Sequence, residues 1–136
     1  MQSPLRTPMA VIGAGSWGTA LAIQCARAGH PTRLWGRDAA LVEAMRLARR
    51  NARYLPEAEF PPSLEPRTDL SEALAGVRDV LVAVPSHAFR ATLLHIEPLL
   101  DEHARIAWAS KGFEMSTGLL PHEVAHEVFG DRKSVV

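Results

Sequence analysis

Gly13, Gly15 and Gly18 directly follow the apolar run Met9-Ala10-Val11-Ile12 and lead into the small-residue segment Thr19-Ala20-Leu21-Ala22. This order constrains the fold strongly, because it joins a buried strand to a helix through a turn that side chains would block. Gly13 allows the tight turn, Gly15 lets backbone approach a pyrophosphate, and Gly18 lets the helix pack close to the sheet. The pyrophosphate then rests on the helix N-terminus. Unpaired N–H groups and the positive end of the helix dipole hold an anion there without a charged side chain. The spacing therefore predicts a nicotinamide or flavin dinucleotide as ligand.

Length and charge fit that reading. A chain of 136 residues suits one domain with a real core. Fifteen basic residues balance fifteen acidic ones, so no global field recruits nucleic acid or an acidic membrane, and phosphate binding must be local. Cys25 is alone, which fits a reducing compartment and predicts a buried structural thiol. No apolar stretch is long enough for a membrane span or a signal segment, and the sequence reads as soluble and cytoplasmic.

Along the chain, strands are expected at Met9 to Ile12, Thr32 to Trp35, Val80 to Val84 and Arg105 to Ala109. Helices are expected from Ser16 to Ala28, with Leu21, Cys25 and Ala28 recurring at helical spacing, and from an Asp38 N-cap through Leu41, Met45 and Ala48. Others follow at His87 to Leu100 and Pro121 to Phe129, with a helical turn at Ser71 to Ala75. Gly29 caps the first helix. The segment from Asn51 to Pro66 holds four of the ten prolines and reads as an irregular surface excursion. Ser134 to Val136 reads as the start of a further strand. The alternation predicts an α/β fold: a doubly wound, mostly parallel, Rossmann-like sheet over residues 1–136. Ligands on such sheets bind beyond the carboxyl ends of the strands. Three loops therefore form one candidate site: Gly13 to Gly18, Pro85 to Phe89, and Ser110 to Gly112.

The segments Gly13-Ala14-Gly15-Ser16-Trp17-Gly18-Thr19-Ala20-Leu21-Ala22, Leu34-Trp35-Gly36-Arg37-Asp38, Val84-Pro85-Ser86-His87 and Ala109-Ser110-Lys111-Gly112 occur in this order. Together they resemble bacterial NAD(P)-dependent glycerol-3-phosphate dehydrogenase. The resemblance extends to Asn51, Tyr54, Leu55 and Pro56, where the family shows Asn-x-x-Tyr-Leu-Pro-Gly; here Glu57 replaces the glycine, which questions that loop's turn. The resemblance implies an oxidoreductase interconverting dihydroxyacetone phosphate and sn-glycerol 3-phosphate for phospholipid synthesis. It also implies a homodimeric full-length enzyme whose helical C-terminal domain supplies a lysine as general acid/base. On this reading the chain is the cofactor domain, truncated before that second domain. It carries no catalytic residue and binds cofactor without turnover.

Candidate site residues carry alternatives. Ser16 offers an amide or hydroxyl to the pyrophosphate, or simply caps the helix. Trp17, by resemblance, lines the cofactor site; otherwise it packs over the glycine turn. The acid expected at the ribose 2′-OH is missing at the tip of the second strand, where Gly36 and Arg37 stand. A guanidinium at Arg37 suits a 2′-phosphate and favours NADP over NAD, against the alternative of a solvated arginine. Lys111 resembles the family lysine that touches cofactor and substrate phosphate; alone it reads as a solvated loop residue. Pro85 and Phe89 shape an apolar nicotinamide end, with plain core the alternative for Phe89. His87 reads as a surface or capping residue. His122 and His126 lie four apart without a third metal ligand near in sequence. A related β-hydroxyacid or ketoacid reductase and a non-catalytic nucleotide-binding module are the competing functions.

Overall fold

A computed structural model of the chain describes residues 6–131, 134 and 135. Strand β1 (Met9–Ile12) runs into helix α1 (Ser16–Arg27), strand β2 (Thr32–Trp35) and helix α2 (Ala39–Ala48). A short antiparallel pair follows, β3 (Arg50–Asn51) and β4 (Leu55–Glu59). Then come β5 (Leu64–Arg67), α3 (Leu70–Leu74), β6 (Asp79–Val82), α4 (Ser86–Ile96), β7 (Arg105–Trp108), α5 (Pro121–Phe129) and β8 (Ser134–Val135). The main sheet has the order β5-β2-β1-β6-β7-β8, and every pairing in it is parallel.

Strand parity explains how both faces are covered. Ala10 and Ile12 of β1 join Val80, Val82 and Ile106 against Phe89, Leu93 and Ile96 of α4 and Val124, Val128 and Phe129 of α5. Val11 points the other way and joins Leu34, with Ala22, Ile23 and Ala26 of α1 and Val42 and Met45 of α2. Successive side chains of a strand alternate faces, so one apolar run feeds two cores. This is the doubly wound α/β arrangement expected from the sequence.

The structure differs from the expectation in four places. The excursion from Asn51 to Pro66 is ordered: β3 and β4 form a hairpin, and β5 pairs with β2 at the edge of the main sheet. Pro66 is compatible with a strand because the amides of Thr32 and Gly36 donate to the carbonyls of Ser63 and Arg67. Odd-numbered residues thus turn their backbone to β2, and the proline's missing N–H falls on the open side. Second, the buried face of α1 is Gly18, Thr19, Ala22, Ile23 and Ala26. Leu21 and Cys25 lie on its border and Ala28 is exposed, because the face toward the sheet follows the helical period from Gly18 through Ala22 to Ala26. Third, Cys25 is only partly buried, enough to push its thiol pKa up. Fourth, the helix expected to reach Leu100 ends at Ile96, and Pro98 sits in a 3₁₀ turn, Glu97–Leu99.

Smaller features agree. Asp38 caps α2 by accepting from the amides of Ala40 and Leu41 at 3.0 and 3.2 Å. Gly29, at φ 99°, receives the chain after α1. Ser134 pairs with Arg105 as a further parallel strand, while Val136 lies outside the described residues. Among the described residues no helix is long and apolar enough to cross a membrane.

Candidate functional site

The carboxyl ends of five strands stand in line. Ile12 is in register with Trp35 and Val82, Trp35 with Arg67, and Val82 with Trp108. The ladder continues one step into the loops: Gly13 donates to the Trp35 carbonyl at 3.0 Å, Ala83 to Ile12 at 2.8 Å and Ala109 to Val82 at 2.9 Å. The loops after β1, β2, β6 and β7 therefore leave the sheet along one edge. This brings Gly13 to Gly18, Arg37, Pro85 and Lys111 to the same end of the molecule.

The three glycines have separable causes. Gly13 has φ 125°, and a Cβ there would lie 2.3 Å from the Ala83 carbonyl oxygen. A Cβ on Gly18 would lie 1.8 Å from the Gly13 carbonyl oxygen. Both positions are closed by the fold itself. Gly15 is different: it has φ −78°, a conformation open to any residue, and a Cβ there would meet nothing within 4 Å. Neither backbone conformation nor internal packing asks for glycine at position 15. Gly15 is also the N-cap of α1 and provides no side-chain cap, so Ser16 is the first helical residue rather than the cap. The leading amides of α1 have no partner within the helix, which leaves them to an external acceptor. The residues present thus fit a dinucleotide phosphate.

Trp17 is 59% exposed on the first turn of α1. Arg37 is exposed beside the glycine turn, because a Cβ on the preceding Gly36 would come within 3.1 Å of Ala14 Cβ. Asp38, one residue on, spends a carboxylate oxygen on the α2 cap. Pro85 is exposed at the mouth of the β6 loop, but Phe89 is not: it is 3% exposed and meets Trp108 edge-on at 5.7 Å. Phe89 is thus packed in the core beneath the β6 loop. Lys111 is exposed, and its loop is tied to the β6 loop by the Ser110 hydroxyl, which donates to the Val84 carbonyl at 2.6 Å. His87 is exposed on the first turn of α4. His122 and His126 are exposed on α5, and no group of three His, Cys, Asp or Glu comes together among the described residues.

Beyond Lys111 the chain closes on itself through Glu114. Its carboxylate accepts from Arg90 Nε at 2.8 Å and Nη2 at 3.0 Å and from the Thr117 hydroxyl at 2.6 Å. Arg90 also donates to Glu127 at 2.6 Å, so one guanidinium joins α4, the loop and α5. These hydrogen bonds, Arg90 first, hold the Glu114 carboxyl below the ordinary glutamate range.

Sequence reasoning overlooked the hairpin's part in the site. Asn51 is fully buried, and its Nδ2 donates to the Ala14 carbonyl at 3.0 Å and to the Thr19 hydroxyl at 2.9 Å. Its Oδ1 accepts from the Tyr54 amide at 3.2 Å. A buried asparagine needs its partners nearby, and it is the tertiary fold, not the local sequence, that buries Asn51 and supplies them. Glu57 lies in β4, and the only non-glycine residue with a positive φ among those described is Arg49. The chain thus needs no glycine at position 57.

Known proteins share this arrangement. The family described as NAD-dependent glycerol-3-phosphate dehydrogenase N-terminus matches residues 8–136. The glycerol-3-phosphate dehydrogenase [NAD(P)+] of Idiomarina loihiensis is 55% identical over 131 residues, covering 96% of this chain and 38% of that protein. The crystal structure of glycerol-3-phosphate dehydrogenase from Coxiella burnetii is 42% identical with a TM-score of 0.88, over 97% of this chain and 39% of that one. A ketopantoate reductase from Ralstonia eutropha, 21% identical with a TM-score of 0.73 over 96% of this chain and 40% of that one, shares the fold. The chain thus spans well under half the length of the relatives it matches. On the family match, which runs through the glycine turn and every loop of the site, the chain belongs to the NAD-dependent glycerol-3-phosphate dehydrogenase N-terminal family.

Proposed function

We propose that these residues form the nucleotide-binding domain of an enzyme that interconverts sn-glycerol 3-phosphate and dihydroxyacetone phosphate with NADP(H) or NAD(H), NADP favoured. The observation that carries this is Gly15: an unconstrained glycine at the amino end of α1, with open space where a side chain would stand. Its lack of a side chain serves something outside the chain.

The nicotinamide, when bound, supplies the hydride. The residues of this chain bind and orient. The amides at the start of α1 take the pyrophosphate, Arg37 takes a 2′-phosphate, and Pro85 lends an apolar edge that keeps water from the nicotinamide. Trp17 borders the same site. Lys111 anchors the substrate phosphate by charge-assisted hydrogen bonds and touches the cofactor. The general acid/base belongs to the longer protein, outside these residues, and so does most of the substrate pocket. That protein is a cytoplasmic homodimer serving glycerophospholipid synthesis.

Calorimetric titration tests the reading. NADPH and NADH bind the unmodified chain, and Gly15→Val abolishes that binding by placing two methyl groups in the path of the pyrophosphate. Equal affinity in the variant would refute the assignment.

A further inference from the structure

We infer that Asn51 is a positioning residue for the phosphate site: from the β3–β4 hairpin, it fixes the orientation of the Ala14–Gly15 peptide and so aims the Gly15 N–H at the ligand. The inference rests on the reading of the glycine turn as the pyrophosphate site. No peptide bond among the described residues is cis. In a trans peptide the C=O and the following N–H point in opposite directions across one plane. The Ala14 carbonyl is held by Asn51 Nδ2 at 3.0 Å. The Gly15 N–H is therefore turned away from Asn51.

Gly15 itself cannot set this orientation, because glycine tolerates both signs of φ and nothing lies within 4 Å of its Cβ position. Rotation of the Ala14–Gly15 peptide would reverse the dipole presented to a phosphate from N–H to C=O. Asn51 is well suited to prevent it. Its side chain is fully buried, its second Nδ2 proton is taken by Thr19 at 2.9 Å, and its Oδ1 is held by the Tyr54 amide at 3.2 Å. With all of its polar atoms engaged, the amide has one orientation. The hairpin thus takes part in ligand binding from behind the turn, without touching the ligand.

The test follows the Gly15 amide of the 136-residue chain by NMR while ADP, which carries a pyrophosphate, or adenosine 2′-monophosphate, which does not, is added. In the unmodified chain ADP shifts the Gly15 resonance. Asn51→Ala should lose at least tenfold in ADP affinity and lose the Gly15 shift, while adenosine 2′-monophosphate binds within twofold of the unmodified chain. Asn51→Ser, neutral and small enough to admit a water beside Thr19, keeps the measurement available should the alanine variant not fold. Ile106→Val, a core change distant from the turn, serves as the destabilised control and should bind both ligands normally. ADP affinity within twofold of the unmodified chain in the folded variant overturns the inference. So does an equal loss for both ligands, which would indicate general damage. Failure of ADP to bind the unmodified chain would instead bring down the pyrophosphate reading, and this inference with it.

Discussion

At Gly15 and Gly18 the same residue type answers to different demands, and substitution separates them. Gly18→Ala forces a methyl toward the Gly13 carbonyl, 1.8 Å from the Cβ position, and the clash is with backbone that cannot rotate away. Overpacking of this kind costs about 1–3 kcal/mol and sometimes more. Gly15→Ala meets nothing and loses only the preference for glycine at an N-cap, about 1 kcal/mol or less. Urea denaturation should therefore rank Gly18→Ala well below Gly15→Ala. Arg37 is tested by cofactor choice. Arg37→Ala should weaken NADPH binding by about ten- to a hundredfold more than NADH binding, since a hydrogen bond to a charged group contributes about 1.5–3 kcal/mol and only NADPH carries the 2′-phosphate. Equal losses in calorimetry would reduce Arg37 to stacking on adenine. The Asp38 cap was legible because it acts through Ala40 and Leu41, its neighbours in sequence. Asn51 in the hairpin and Thr19 in α1 meet from 32 positions apart, and no local pattern announces that contact.

Among the elements, the turn after β7 has the clearest pH dependence. Glu114 links it to α4 through Arg90 and is held below the ordinary glutamate range. A carboxylate with a lowered folded pKa adds stability above its unfolded pKa, near 4.5, and that stability disappears as pH falls through the folded value. Thermal melting from pH 7 downward should lose more in the unmodified chain than in Glu114→Gln, with the two curves converging at the acid end. Parallel curves would mean that the carboxylate does not titrate with folding. The hairpin and β5 illustrate what the sequence concealed. Four prolines between Asn51 and Pro66 suggested irregular chain, since proline removes a ladder donor. That rule assumes a strand paired on both sides, and among the described residues β5 pairs with β2 alone. Pro66 shows the limitation, because edge or centre is decided by tertiary placement.

For the whole molecule, the division between binding and chemistry predicts an outcome in a cuvette. Hydride transfer to a ketone needs a proton donor and a substrate pocket as well as a held nicotinamide. Lys111, in its proposed role as a phosphate anchor, cannot provide all of these. Loss of general acid catalysis alone costs about a hundredfold to ten-thousandfold. Mixed with NADPH and dihydroxyacetone phosphate, the 136-residue chain should show no appreciable oxidation of the nicotinamide beside a full-length relative. Turnover within about tenfold of that relative would place the acid among these residues. The architecture itself was readable, because alternating apolar strands and capped helices leave few other packings.

Pro66 has one more consequence. Sheets can recruit strands from other molecules wherever a row of free donors and acceptors meets solvent, and this is a common start of aggregation. The β5 margin interrupts that row with a residue that has nothing to donate, flanked by the paired charges of Glu65 and Arg67. The proline that masks this strand from a reader of the sequence also leaves a gap in the row of donors that a passing chain would need.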